Sequence, residues 1–557
     1  MRYYIHYLIL LLIVACKQDP KPEKEKVVLW TPYNDSTEVA DNQDHEIARM
    51  RYKLIQSKVL DKNEVFGPLY KEVSRMSDGD YMALRPLILE QDIPTIRAYI
   101  ESGMLTYEKL VLFYLYRIYK YELDNTTTLN TVIALNASVV EEARKLDRLR
   151  ARFPSQKQHP IYGMPILLKD NINTLGMKTT AGSIALVNNE VNDAFIVKQL
   201  KLNGALILGK VNLSEWAYYL CQGCPVGYSA VGGQTLNPYG RRIFETGGSS
   251  SGSGTAVAAN YAVAAVGTET SGSILSPSGQ NSVVGLKPTI GLLGRSGIVP
   301  ISSTLDTPGP MTKNVTDNAI LLSAMTGRDE ADSKSVATDK TFINELGEEV
   351  SLEGKRLGAM KNLMEGNPMY RATIEKLRES GAKVVEFDPL EIQLKAFLSI
   401  LNIDMRNDLP EYLTLHSDKD RVPISSVADV VQFNATDSLV RIPYGQQLFR
   451  GILSDTTSAA ELTRIKSRLE QEGRRFFDAA LDEYDLDAVL SINNYHAGYA
   501  AVAKYPALTV PMGYKETGEP MNLTFIAKPF QEEKLLLLGR AFEQATQVRK
   551  IPVGMAN

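Results

Sequence analysis

The sequence predicts an α/β fold, and three observations carry the prediction. Short apolar runs alternate with amphipathic helical ones in the second half of the chain. Lys355-Arg356-Leu357-Gly358-Ala359-Met360 reads as a strand, residues 367–380 as a helix, and Ala382-Lys383-Val384-Val385-Glu386 as a strand. Earlier, the apolar run Pro165-Ile166-Leu167-Leu168 ends in Lys169, where α/β sheets place functional side chains. Between these regions lies the stretch the chain is organised around, residues 247–278, GGSSSGSGTAVAANYAVAAVGTETSGSILSPS. It opens as a Gly/Ser loop and closes on Thr270-Ser271-Gly272-Ser273. A helix-like run (255–260) and a buried-strand-like run (262–267) lie between.

Composition bounds the rest. The 557 residues include 44% hydrophobic ones, enough for a sizeable core in one large or several ordinary domains. Sixty-one basic against 65 acidic residues leave a net charge of −4, with no basic surplus for a nucleic-acid partner. Three cysteines exclude a disulfide scaffold.

The N-terminus, MRYYIHYLILLLIVACKQDP, combines a short basic start, an apolar run too short to span a bilayer, and Ala15-Cys16. Ile13-Val14-Ala15-Cys16 resembles the bacterial lipobox. That resemblance implies a signal peptide over 1–15 and acylation of Cys16. An exported chain held on a membrane by a lipid anchor is the expected localisation. An ordinary secretory signal and a cytosolic first strand are the alternatives. The charged, Pro-containing residues 17–26 read as a tether, which we extend over 16–44 before a single catalytic domain at 45–557. Thr106 is placed to cap a helix with Leu110, Phe113, Tyr114 and Ile118 on one face, its tyrosines serving as packing. Asn130 to Leu135 reads as a strand and 139–152 as a charged amphipathic helix.

Residues 247–278 have three readings. A flexible spacer is disfavoured by the packable apolar residues that follow at once. A phosphate cradle needs Gly-Lys-Ser/Thr or GxGxxG, and neither is present. The third is a nucleophile site, where glycines admit close approach and serines stand beside free N–H donors. Here the chain resembles the amidase signature family, whose pattern is GGSS-G-G followed some two dozen residues later by G-S-I. The resemblance extends to Gly163-Met164-Pro165 through Lys169-Asp170, Gly285-Leu286-Lys287-Pro288-Thr289 and Asp306-Thr307-Pro308-Gly309-Pro310-Met311. Asn212-Leu213-Ser214-Glu215-Trp216-Ala217 resembles the branch containing bacterial peptide amidases.

That resemblance implies one large mixed β-sheet flanked by helices on both faces. It also implies a Ser-cisSer-Lys triad without metal or cofactor. Carried over by position, Ser273 is the nucleophile, Ser249 the bridging serine and Lys169 the base. Backbone amides of Thr270, Ser271, Gly272 and Ser273 form the oxyanion hole. Ser250, Ser251 and Ser253 are loop formers or relay supporters, Asp170 is structural, and Lys210 structural or on the surface. A Ser-His-Asp triad is poorly supported, because no histidine accompanies either Gly/Ser turn.

The implied activity is hydrolysis of carboxylic amides, C-terminal peptide amides or small amides, with esters as further substrates. A non-catalytic amide-binding lipoprotein and an amidotransferase component acting on charged tRNA are the rival readings. Several residues depart from the family pattern. Relatives carry Gly or Asp at Ser271, a basic residue at Leu275, and Ala-Pro-Thr after the strand that here ends Ser491-Ile492-Asn493-Asn494. Cys221 and Cys224 form a CxxC with four readings open: redox pair, half a zinc site, disulfide, or two packed thiols. Residues 326–354 read as an exposed excursion. Residues 396–449 are expected to contact substrate, with no individual residue nameable.

Overall fold

The computed structural model describes residues 27–338, 341–343 and 350–556. The expected signal peptide, Cys16 and residues 17–26 lie outside them. Among the described residues thirteen strands form: β1 (Val132–Leu135), β2 (Pro165–Lys169), β3 (Leu206–Val211), β4 (Tyr228–Ser229), β5 (Gly233–Gln234), β6 (Ala264–Glu269), β7 (Val284–Lys287), β8 (Thr307–Thr312), β9 (Arg356–Met360), β10 (Lys383–Phe387), β11 (Ala488–Ile492), β12 (Ala507–Tyr514) and β13 (Pro520–Ile526). Eleven build one sheet in the order β1-β3-β2-β6-β8-β7-β12-β13-β11-β9-β10, and β4 and β5 pair separately.

The sheet is mixed. Strands β3, β2 and β6 run parallel, as do β11, β9 and β10, while the strands from β8 to β13 pair antiparallel. Every residue of β2, β3, β6, β7 and β8 is buried. Alternate side chains point to opposite faces, so both faces are covered, and near-continuous apolar runs replace in–out alternation. This is the expected fold class.

Most predicted elements form where local sequence placed them. The helix Tyr107–Glu122 starts at Thr106, whose hydroxyl accepts from the Lys109 amide at 3.1 Å. Leu110, Phe113, Tyr114 and Ile118 are fully buried on it. In the central stretch the helix begins earlier than read, at Ser251–Ala258, so part of the Gly/Ser loop is its first turn. The strand that follows is shifted to Ala264–Glu269.

Two expectations are corrected, those for residues 27–44 and for Lys210. Residues 27–44 are packed rather than tethering. Trp30 is buried, the Leu29 and Trp30 amides donate to Asn63 Oδ1, and Asp35 accepts from the Ile55 and Gln56 amides. The described residues of the 326–354 excursion are mostly exposed or half-buried, as expected, with Asp329, Phe342 and Leu352 tucked in. Lys210 is no surface residue. It is fully buried, and its ammonium sits 2.9 Å from Asp170 Oδ1, itself fully buried. Asp170 is thus structural, as expected.

The two charges of that pair compensate each other inside the sheet. Replacing Lys210 with Met strands a buried carboxylate, so Lys210→Met is expected to cost about 3–5 kcal/mol. Denaturant midpoints should recover part of that loss in the Lys210→Met/Asp170→Leu double variant.

Candidate active site

Strands β2 and β6 are parallel neighbours, with Leu168 opposite Val266, so both chains leave the sheet at the same edge. Lys169 is the last residue of β2, and Thr270 to Ser273 follow β6 directly. The helix Ser251–Ala258 packs over these strands and brings Ser249, just before its first turn, to the same edge. The peptide bond Gly248–Ser249 is cis.

Lys169 Nζ lies 2.8 Å from Ser249 Oγ, 2.8 Å from Thr268 Oγ1 and 3.2 Å from the Thr268 carbonyl. Both Lys169 and Ser249 are fully buried. Burial disfavours the ammonium and lowers its pKa to about 7, while the negative charges of Asp306 and Glu269 oppose that fall. Neither carboxylate makes an ion pair with the amine, because both are engaged elsewhere. Asp306 accepts from Thr270 Oγ1 (2.5 Å) and the Ile301 and Ser302 amides (2.8 and 2.9 Å). Glu269 Oε2 accepts from the Ile274 and Leu275 amides at 2.7 and 3.0 Å, which clasps the 270–273 turn between its two ends.

Ser273 is partly exposed, and its carbonyl accepts from the Ser250 amide at 3.1 Å. The residue after the predicted bridging serine is thereby joined to Ser273 through backbone. No hydrogen bond joins the Ser249 and Ser273 hydroxyls among the described residues. Gly272 adopts φ +89°, which turns the chain at the centre of the segment. Asn494 lies against Gly272, where an added Cβ would stand 3.1 Å from its Nδ2. The departure at 491–494 thus falls beside the predicted oxyanion segment.

The remaining serines tie down backbone, Ser250 at the N-cap of the helix and Ser251 and Ser253 within its first turn. Ser250 Oγ donates to the Thr268 carbonyl and accepts from the Thr268 amide, Ser251 Oγ donates to Gly247 O, and Ser253 Oγ to Val266 O.

Sequence reasoning missed Thr268 and Asn171. Thr268 Oγ1 accepts from Asn171 Nδ2 at 3.0 Å while contacting the lysine. Asn171 lies in the quoted Lys-Asp-Asn run, but nothing local marks Thr268. A cleft of about 190 Å³ reaches these residues, bounded by Asn171, Thr268, Thr270 and Asp306 on the sheet side. Asp408, Glu411, Tyr412 and His416 close its other side. The cleft stops at Thr268 and Thr270, and Lys169, Ser249 and Ser273 do not line it.

Cys221 and Cys224 are joined in a disulfide, so the packed-thiol reading is set aside. Among the described residues no three His, Cys, Asp or Glu side chains are grouped to hold a metal ion.

The amidase family model matches residues 109–491. This chain belongs to the amidase signature family. A probable amidase of Arabidopsis thaliana is 36% identical over 485 residues, covering 84% of this chain and 92% of the relative. The structure of an amidase family protein from Bacillus anthracis superposes with a TM-score of 0.84 at 36% identity, covering 90% of this chain and all of that one. The peptide amidase of Stenotrophomonas maltophilia gives 0.77 at 36% identity, over 83% and 98% of the two chains. A glutamyl-tRNA(Gln) amidotransferase component of Moorella thermoacetica also matches, at 32% identity over 74% of this chain and 88% of that one.

One further buried acid lies beside a residue that holds this amidase's cis-serine loop. Ser214 N donates to Ser249 O at 3.1 Å, and the next residue, Glu215, is buried and accepts from the Ala230 amide. Burial raises the Glu215 pKa to about 8, with the Ala230 and Ser183 hydrogen bonds pulling it back. A carboxyl whose folded pKa is raised binds its proton more tightly when folded. Its stabilising contribution is complete below its unfolded value and is lost as pH rises through about 8. Glu215→Gln should therefore remove a slope of up to about 1.4 kcal/mol per pH unit between the two values. Thermal melts of both proteins from pH 4 to 9 would show it, and parallel curves would contradict it.

Proposed function

We propose that this amidase hydrolyses the C–N bond of linear carboxylic amides, C-terminal peptide amides or small amides, through a Ser273 acyl-enzyme. The observation that carries the reading is the 2.8 Å contact of Lys169 Nζ with Ser249 Oγ between two fully buried side chains. Kinship with a peptide amidase supports the substrate class.

Hydrogen counting assigns the direction of proton flow. A neutral amine has two hydrogens and one lone pair. The Thr268 carbonyl can only accept, and Thr268 Oγ1 accepts from Asn171 as well. Giving both amine hydrogens to Thr268 leaves the lone pair for the Ser249 hydroxyl proton. Ser249 Oγ is then free to accept from Ser273. As Ser273 Oγ bonds to the substrate carbonyl carbon, its proton passes to Ser249, and the Ser249 proton passes to Lys169. The carbonyl oxygen becomes an oxyanion facing the amides of residues 270–273, of the kind that contribute about 2.7–4 kcal/mol each. Collapse breaks the C–N bond, and the departing amine regains a proton from Lys169 through Ser249. Water then repeats the sequence on the acyl-enzyme. Catalytic hydrogen bonds such as Ser273–Ser249 commonly close only in the substrate complex.

The base must be uncharged, so kcat/KM should fall about tenfold per pH unit below about 7 and level off above it. Ser273→Ala should lose at least about 10,000-fold in kcat together with labelling by a serine-directed fluorophosphonate. A Ser273→Ala enzyme with normal turnover would remove Ser273 from the role. Lys169→Ala should lose the neutral-pH activity.

We also infer export and a lipid anchor at Cys16. The lipobox-like Ile13-Val14-Ala15-Cys16 and the Cys221–Cys224 disulfide, a bond suited to oxidising compartments, support this. Cys16→Ser should shift the protein from the membrane fraction to the soluble one. Unchanged fractionation would refute the anchor.

A further inference from the structure

The cleft beside Thr268 and Thr270 does not stand alone. A second cavity of about 730 Å³ adjoins it, bounded by Lys178, Glu190, Asp193, Phe195 and Lys198. Three residues line both cavities: Ser296, Gly297 and His416.

Two of the three form a fixed floor. The Ser296 amide donates to Asp329 Oδ2 and its carbonyl accepts from the Phe195 amide, both at 3.0 Å. The Gly297 carbonyl accepts from the Asn173 amide at 3.0 Å. Gly297 has φ +79°, and a Cβ there would lie 2.8 Å from Ala194 Cα, so this backbone is pressed against its neighbour. His416 faces that floor from the end of the helix Phe397–Leu415. Its amide donates to Tyr412 O at 2.8 Å and its carbonyl accepts from Asn173 Nδ2 at 2.9 Å, which ties this wall to the floor. The imidazole is partly exposed, with its ring 6.1 Å from that of Tyr412. Of the three shared residues, His416 alone carries a large side chain.

From this arrangement we propose that the two cavities are one groove with His416 at its neck. The amidase then acts on extended peptide amides whose chain passes His416 into the outer cavity. This rests on the amide-hydrolase reading and deepens it. A small amide held at residues 270–273 extends no further than the inner cleft beside Thr268 and Thr270. The outer walls offer lysines, carboxylates and one aromatic ring, which suit a peptide backbone with polar side chains better than an alkyl chain.

The test is a series of acetylated peptide amides of one to four residues, assayed on the full-length wild type and His416→Trp. For the wild type, kcat/KM should rise at least tenfold from the shortest to the longest. The Trp side chain should abolish that gain, whereas His416→Ala should keep or enlarge it. Because the readout is the long-to-short ratio, a loss of folded enzyme divides out. A flat wild-type series, a ratio untouched by Trp, or a preference for fatty amides would overturn the groove while leaving the amidase reading intact. Titration calorimetry on Ser273→Ala gives a second readout that needs no turnover. The four-residue amide should bind at least tenfold tighter than the one-residue amide, and equal affinities would overturn the proposal.

Discussion

Everything at the site depends on keeping one amine buried without giving it a counter-charge. Lys169 and Lys210 show what that requires. They sit on adjacent parallel strands, both fully buried, with Lys210 opposite Leu168 and Lys169 opposite Val211. Lys210 meets Asp170 at 2.9 Å, so an opposite charge opposes the effect of burial. Lys169 meets only hydroxyls and a carbonyl, and two carboxylates that could neutralise it are held away. Hydrogen bonds from Thr270 and the 301–302 amides occupy Asp306, and the turn at 274–275 occupies Glu269. A contact like that of Lys210 would favour the ammonium and close its lone pair to Ser249.

The same constraint explains the composition of residues 247–278. Two backbone segments must approach closely enough for Ser250 to bridge both the amide and the carbonyl of Thr268. That leaves no room for side chains. A Cβ on Gly252 would stand 2.4 Å from Asn212 O, and one on Gly267 would stand 2.9 Å from Ser250 Oγ. The Gly/Ser content that resembles a linker is instead what dense backbone packing demands. Those serines satisfy buried polar groups that a solvated loop would leave to water.

This division also explains what the sequence disclosed. Strands such as β9 and β11 and helices such as Tyr107–Glu122 follow from local period and capping, so they were legible. Lys169 and Ser249 were legible through motif context, and the structure brings their side chains into contact. Thr268 meets Lys169 and Asn171 across 99 and 97 residues, and Asp306 meets Thr270 across 36, and local pattern records no such partners. Lys210 resembled any charged residue after a strand, because the partners that hold it inside, Asp170, Lys178 and Thr179, come from an earlier segment of the chain. The strand order was equally hidden, since β12 pairs with β7 across more than two hundred residues.

The proposed mechanism and the proposed groove assign chemistry and substrate choice to different parts of the molecule. The lysine, the cis-serine turn and the segment 270–273 belong to the sheet and the Gly/Ser helix, packed in the main hydrophobic core. The facing wall belongs to a separate cluster built from the helices Phe397–Leu415, Val427–Ala435 and Gln447–Ser454, with Trp216, Tyr219 and Ile301 joining it to the body. Side chains on that wall can change shape without altering the desolvation that holds Lys169 near neutrality, because none of them touches the amine. Substitutions on the wall and changes at the lysine are therefore physically separable. That separation accounts for residues 396–449 carrying little motif while supplying Asp408, Glu411, Tyr412 and His416 to the cleft.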